Sequence, residues 1–241
     1  MKGLILAAGR GSRMGALTDD RPKCMVEIGG RTLFDRQCAA LRAAGCAEIG
    51  VVRGWQGRAF DAHPVRKFDN PRWAETNMVR SLECAAEWLA AGPCLVSYAD
   101  IFYSGTAAAT LAAARTPLAV AYDPDWLALW RARFANPLDD AETFKLSPDG
   151  ALAEIGRKPA SLAEVEGQYM GLLKFAPEGW TAVAGLLAEL APARADKLDM
   201  TSMLGLLLAR GVRIGAVAVP GPWGEVDSAS DLALYRRWAE A

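Results

Sequence analysis

Residues 4–15 read LILAAGRGSRMG. A short apolar run, Leu4 to Ala8, leads straight into a loop with glycine at positions 9, 11 and 15. Such a run before glycines predicts a buried strand over residues 2–8 that hands the chain to a phosphate-binding turn. Several kinds of turn could follow. A dinucleotide loop wants G-x-G-x-x-G, a helix starting inside the motif, and an acidic residue about 20 positions on. Here the spacing is G-x-G-x-x-x-G, Thr18, Asp19, Asp20 and Pro22 oppose an immediate long helix, and the second strand ends in VVRGW. A Walker A loop ends in G-K-[ST], which is absent. The third reading is a loop that wraps a nucleoside triphosphate, with Arg10, Arg13, Arg21 and Lys23 standing beside the backbone amides. A triphosphate carries about four negative charges, so cationic side chains are needed as well as N–H groups. The bland alternative is a glycine turn with solvated arginines.

Composition narrows the class. The chain has 241 residues, of which 52% are hydrophobic and 23% charged, which supports a sizeable core and argues against disorder. That length suits one α/β domain. A net charge of −1 gives no general attraction for nucleic acid or anionic lipid. The apolar runs fall well short of the ~20 residues that span a bilayer, and residues 4–8 are too short for a secretory segment. A cytosolic (cytoplasmic) protein with neither nucleic-acid nor membrane partners is expected. Five cysteines (Cys24, Cys38, Cys46, Cys84, Cys94) without a C-x-x-C pair read as buried free thiols. A nucleophilic triad would have to rest on the single histidine, His63.

Strand-like and helix-like segments alternate along the first half. Strands are expected at 2–8, 48–53, 94–98 and 118–122, and helices at 32–44, 77–91 (with Thr76 as N-cap) and 106–114. This order implies a largely parallel sheet with helices on both faces. The second half predicts two strands around a turn at Pro148, Asp149 and Gly150, then a strand at 169–175. Helices at 180–190 and 200–210, a strand at 212–219, a Pro-Gly-Pro turn at 220–222 and a final helix from about Ser230 complete it.

Further stretches carry a resemblance. LILAAGRGSRMG with RPKCMVEIGGRTLFDRQCAAL (21–41) resembles the nucleotidyltransferase family, which couples NTPs to phosphorylated sugars and alcohols. ETNMVRSL (75–82), VSYADIFY (96–103), NPLDDAETFKL (136–146), EGQYMGLLKF (166–175), DMTSMLGLLL (199–208) and WGEVDSASDL (223–232) look like its cytidylyltransferase branch. Members of that branch act on phosphocholine or on phosphonates such as 2-aminoethylphosphonate. The resemblance extends over nearly the whole chain. It implies a Rossmann-like, mixed, mainly parallel sheet (the nucleotide-diphospho-sugar transferase-like fold) in one domain over 1–241. The nucleotide-binding half would be about 1–122 and the acceptor-binding half about 123–241.

The same resemblance implies Mg²⁺-dependent transfer of CMP from CTP to a small phosphonate or phosphate monoester, with pyrophosphate released. Asp100 and Asp227 would hold the Mg²⁺, with Glu225 a third ligand. Lys23 would stabilise charge near the α-phosphate and Arg13 would hold the β- and γ-phosphates. Leu6, Ala7, Ala8, Gly9, Gly11 and Ser12 would contact the nucleotide, joined by Asn77 and Ser81 at the base. An amide side chain can both accept from and donate to a cytosine edge, but on physics alone Asn77 is nearly as good a helix cap. For the acceptor, Tyr98, Trp126, Trp130, Tyr169 and Trp223 offer aromatic faces suited to an ammonium group, and each could equally be core. Asp140, Glu142 and Gln168 offer polar contacts, and Arg133 could pair with the acids or grip a phosphonate. The polar set around Asp140 and Glu142 does not demand a trimethylammonium, which favours a phosphonate acceptor. A hexose-1-phosphate nucleotidyltransferase, a nicotinamide-dependent oxidoreductase and a non-catalytic nucleotide-binding regulator are the competing readings. The oligomeric state is open, a homodimer included.

Overall fold

A computed structural model, which describes residues 1–219 and 221–240, begins with β1 (Lys2–Ala7). Past the glycine loop, a hairpin of β2 (Glu27–Ile28) and β3 (Arg31–Thr32) leads into α1 (Leu33–Ala43), where the Thr32 hydroxyl accepts from Asp35 N. Then come β4 (Glu48–Arg53), β5 (Arg66–Asp69), α2 (Met78–Glu83), α3 (Ala86–Ala90), β6 (Cys94–Tyr98), β7 (Ile101–Tyr103), α4 (Gly105–Ala112) and β8 (Leu118–Asp123). The second half adds α5 (Trp126–Arg133), β9 (Phe144–Leu146), β10 (Leu152–Ile155), β11 (Gln168–Phe175), α6 (Pro177–Glu189), α7 (Pro192–Asp196), α8 (Met200–Ala209), β12 (Gly215–Ala218), β13 (Trp223–Glu225) and α9 (Ala229–Glu240).

Seven strands form the central sheet in the order β12-β8-β11-β6-β1-β4-β5. All neighbours are parallel except β11, which runs antiparallel to both β6 and β8. Both faces of β1 are covered: Ile5 and Ala7 belong to the apolar cluster beneath α1, α4, α5 and α9, while Leu4 and Leu6 belong to the one beneath α2, α3, α6 and α8. Two-sided burial explains why the strand reads as a continuous apolar run rather than an alternating one. Because β1, β4 and β6 are parallel, their carboxyl ends open on one edge, where ligands collect in such sheets. The reversed β11 brings its first residues, Gln168 and Tyr169, to that same edge. No helix among the described residues is long and apolar enough to cross a membrane.

Two expectations need correction. The helix expected over 77–91 is broken into α2 and α3, and its N-cap is Asn77 rather than Thr76. Val79, Leu82, Ala85 and Trp88 are buried three residues apart. That spacing needs a turn tighter than 3.6 residues, and the bonds Cys84 N to Ser81 O (3.2 Å) and Ala85 N to Leu82 O (3.1 Å) supply it. The strand expected over 212–219 shortens to β12, because Ile214 O instead accepts from Leu152 N at the start of β10. The turn expected at 220–222 includes Pro220, which lies outside the described residues.

Gly171 sits where the pairing of β11 with β8 slips between Tyr169 and Leu173, at φ +72°. A Cβ there would lie 2.7 Å from Tyr98 Cδ2, so the ring at the end of β6 packs on bare backbone. Gly171→Ala is expected to cost about 1–3 kcal/mol of unfolding free energy in urea titrations. An unchanged midpoint would show that neither the backbone nor the Tyr98 ring is constrained.

Candidate active site

Gly11 has φ +67°, and a Cβ on it would lie 3.0 Å from Lys23 Cβ. The glycine loop thus lies directly on the stem of Lys23, a buried side chain whose Nζ donates to Asp100 Oδ2 (3.0 Å) and Asp227 Oδ1 (2.5 Å). Arg13, 70% exposed, reaches the same Asp227 oxygen at 3.0 Å. Asp100 follows β6. Asp227 reaches it because β13 pairs antiparallel with β7, placing Glu225 opposite Ile101, and Val226 N donates to Asp100 O. Carboxylate oxygens of Asp100, Glu225 and Asp227 lie within 4.8 Å of one another.

A second cation stands behind this cluster. Arg133, at the end of α5, reaches Glu225 Oε2 (3.1 Å), Asp227 Oδ2 (3.4 Å) and Asp231 Oδ1 (2.9 Å). Asp231 lies in the first turn of α9, where its Oδ2 accepts from Asp227 N and Ser228 N at 3.0 Å. Ser228 Oγ in turn accepts from Asp231 N, closing a reciprocal capping box.

These contacts set the ionisation of the cluster. Burial works against the charge on Lys23, but Asp100 and Asp227 more than offset it and hold its pKa above the usual lysine value. Burial also works against the Asp227 carboxylate, yet Lys23 and Arg13 keep its pKa low. Glu225 goes the other way: burial, with Asp227 and Asp100 beside it, pushes its carboxyl up to about 8. Asp100 Oδ1 is buried with no hydrogen-bond partner among the described residues. Three carboxyl groups, one of them with an unpartnered oxygen, offer the hard donors that suit Mg²⁺, so these residues fit the ion that the resemblance implies.

Three adjoining cavities make one cleft along the sheet edge. The first, about 120 Å³, is lined by Leu6, Ala8, Gly9, Trp73, Asn77 and Ser81. The middle one, about 160 Å³, runs past Gly11, Arg13, Lys23 and Asp100. The third, about 320 Å³, is lined by Tyr98, Asp140, Glu142, Gln168, Tyr169 and Asp227, among others. Met78 lines all three. A larger cavity of about 760 Å³ lies on the outer side of α8, among Ile155, Gly205, Leu208 and the exposed Arg157, Arg194 and Lys197. It shares only Thr201 with the cleft and stands apart from the charged cluster.

Residues 3–154 match the MobA-like NTP transferase domain family. The chain belongs to that family. Along its length it is 36% identical to the CTP:phosphoglutamine cytidylyltransferase of Campylobacter jejuni, over 96% of this chain and 98% of that one. It is 33% identical to the choline-phosphate cytidylyltransferase of Streptococcus pneumoniae over a shorter stretch, 37% of this chain and 41% of that one. The solved structure of the pneumococcal CTP:phosphocholine cytidylyltransferase superposes with a TM-score of 0.73 at 20% identity, covering 98% of each chain. An inositol-1-phosphate CTP transferase from T. maritima does so at 0.76 and 15%, covering 97% of this chain and 93% of that one. At those identities the likeness establishes the nucleotide-diphospho-sugar transferase type of sheet, which agrees with the fold expected from the sequence. Membership of this transferase family sets aside the nicotinamide-dependent oxidoreductase.

Within this transferase, most of the residues singled out from the sequence converge. Leu6, Ala7, Ala8, Gly9, Gly11, Arg13, Lys23, Ser81 and Asp100 line the first two cavities. Tyr98, Asp140, Glu142, Gln168, Tyr169, Trp223, Glu225 and Asp227 line the third. Burial pushes the half-buried Asp140 carboxyl up, and the Tyr98 and Tyr169 hydroxyls are likewise raised by burial. Trp223 backs its cavity from within the core, its Nε1 donating to Asp123 Oδ2 at 2.8 Å.

Several residues do not behave as expected. Trp126 and Trp130 are core: Trp126 Nε1 donates to Val165 O, and Trp130 is fully buried among Trp126, Phe134 and Trp223. Arg133 pairs with Glu225, Asp227 and Asp231 instead of facing an acceptor or the acids at 139–142. Ser12 is exposed and lines none of the three cavities. Arg10 and Arg21 pair with Asp19 and Asp20 on the surface. The cysteines are free thiols, as expected, with Cys84 half-buried and the others buried. His63 packs its ring on Phe34, away from the cleft. Asp231, Asp199 and Thr201 were not singled out. Of these, Asp231 had a legible signal, since Ser228-x-x-Asp231 is a capping-box pattern.

Asn77 lines the first cavity, but its amide is engaged elsewhere. Oδ1 accepts from Met78 N (2.8 Å) and Nδ2 donates to Lys197 O (3.2 Å). Asn77→Ala should therefore lower stability by about 1 kcal/mol through loss of the cap, leaving the preference among NTPs unchanged. A shift in kcat/KM ratio between CTP and UTP would instead return Asn77 to base recognition.

Proposed function

We propose that this chain transfers CMP from CTP to a small phosphorylated or phosphonylated acceptor bearing N–H donors, releasing pyrophosphate. The observation that carries this reading is Lys23 Nζ, which touches both Asp100 and Asp227 where the middle cavity meets the third. One cation and the carboxylate cluster thereby converge on a single point between two binding spaces. An oxygen of the acceptor attacks the α-phosphorus, a new P–O bond forms, and the bond to the β-phosphate breaks with its electron pair leaving on pyrophosphate. No proton need move. Two anions must meet, so positioning and charge neutralisation do the catalytic work.

In this reading the base lies in the first cavity against Leu6, Ala8 and Ser81. Gly9 and Gly11 let the backbone approach the phosphates, Arg13 holds the β- and γ-phosphates, and Lys23 faces the α-phosphate. Mg²⁺ on Asp100 and Asp227, with Glu225 third, would offset phosphate charge. The acceptor occupies the third cavity. With Trp126 and Trp130 in the core, the rings left to that space are Tyr98, Tyr169 and the largely buried Trp223, a smaller aromatic surface than the five rings expected from the sequence. Asp140, Glu142 and Gln168 instead present acceptors for N–H donors. Phosphoglutamine, named in the relative that matches end to end, and 2-aminoethylphosphonate both carry N–H groups; phosphocholine carries none. The cavities also support the division into halves at about residue 122: residues 6–100 line the first two, and residues 140–227 supply most of the third.

Pyrophosphate release tests the proposal, with CTP, UTP, GTP and ATP each offered phosphoglutamine, 2-aminoethylphosphonate, phosphocholine or glucose 1-phosphate. Release is expected with CTP and an N–H-bearing acceptor, and EDTA should abolish it. Turnover of glucose 1-phosphate alone would overturn the acceptor class. Lys23→Ala should lose on the order of 10²–10³-fold in kcat with its circular dichroism unchanged.

A further inference from the structure

The side chain of Arg133 is 0% exposed, against 22% for Glu225 and 9% for Asp227. The rings of Trp130 and Phe134 cover its guanidinium at 4.8 and 5.0 Å. Shut away from the cleft, it has no route to a substrate. Its three nitrogens instead reach three different carboxylates: Asp231, Glu225 and Asp227. Asp227 is thereby divided in function. Oδ2 is tied back to Arg133, and Oδ1 is turned to the side where Lys23 and Arg13 stand. The same Asp231 that balances Arg133 also fixes the backbone N–H groups of Asp227 and Ser228.

We propose that Arg133 is a positioning residue that presents Asp227 and Glu225 to the metal, and that Asp231 is the counter-charge allowing it to be buried. The inference rests on the reading of Asp100, Glu225 and Asp227 as Mg²⁺ ligands. Crowded carboxylates repel one another and would turn apart unless their outer oxygens were anchored. A planar fork can anchor several at fixed angles, whereas an ammonium is a point charge that cannot. The proposal opposes what charge alone predicts. Removing a cation from beside a Mg²⁺ site should tighten binding if only net charge mattered. Removing a positioner should weaken it.

Mn²⁺ binding, followed by electron paramagnetic resonance on protein saturated with CTP in the absence of acceptor, separates the two. Arg133→Lys keeps the charge and loses the fork. The paired change Arg133→Met with Asp231→Asn keeps the net charge of the cluster and retains an oxygen to cap α9. Both are expected to fold, with wild-type circular dichroism and a lowered urea midpoint, and to bind Mn²⁺ about 10–100-fold more weakly. The Mg²⁺ concentration for half-maximal activity should rise in parallel. Binding as tight as wild type, or tighter, in both forms would reduce Arg133 to a structural counter-ion and overturn the proposal. Wild-type protein that holds no Mn²⁺ beyond that carried by CTP, and is indifferent to Asp100→Asn, would instead overturn the metal reading and this inference with it.

Discussion

The antiparallel pairing of β13 with β7 sets Glu225 against Ile101 and lets Val226 N donate to Asp100 O. The charged part of the cleft depends on this pairing. It joins the end of a strand near residue 100 to a segment near residue 225 and forces three carboxylates to within 4.8 Å. Such crowding is unfavourable unless cations intervene and the remaining lone pairs are satisfied. The chain meets that requirement from both sides: Lys23 and Arg13 in front of Asp227, and Arg133 behind it. Glu225 lies where burial and its acidic neighbours outweigh the pull of Arg133 and Lys23, so its carboxyl is pushed up to about 8.

The cation types match their places. A buried position that must stay charged and bridge several carboxylates suits a guanidinium, which does not lose its proton and bonds along several edges. A position facing the cleft suits a lysine, whose ammonium can redirect three donors on a flexible stem. Arg13, largely exposed, retains the freedom to meet a ligand. The aromatic cover over Arg133 serves the same end as the ion pairs, excluding water that would compete for the carboxylates.

The parts of this fold legible in the sequence are those whose cause is local. β4 and β6 fall where their apolar runs put them, and α1 fills the amphipathic stretch expected to be helical over 32–44, with Thr32 serving as its cap rather than its first turn. The break between α2 and α3 was also written locally, in burial at every third residue, but that spacing is read correctly only once the buried face is known. Trp126 and Trp130 show a different limit. Four residues apart, they share a helix face, and periodicity does not say whether that face meets the core or a ligand. Arg133 shows a third. Nearby acids at 139–142 are its obvious partners along the chain, yet the packing of α5 against α9 gives it Asp231 and the carboxylates of β13 instead.

The two ends of the cleft are built differently, and this bears on how specificity arises. The end proposed for the nucleotide is mostly one continuous loop after β1, closed by Lys23 and the start of α2. Its geometry is a property of a short stretch of chain lying on a buried strand. The end proposed for the acceptor is assembled from the tips of separate elements: the start of β11, residues 140–142 before β9, and the first turn of α8. On the proposed reading, the choice of acceptor falls to Asp140, Glu142, Gln168 and Tyr169, and the choice of reaction to Lys23, Arg13 and the carboxylates that face them.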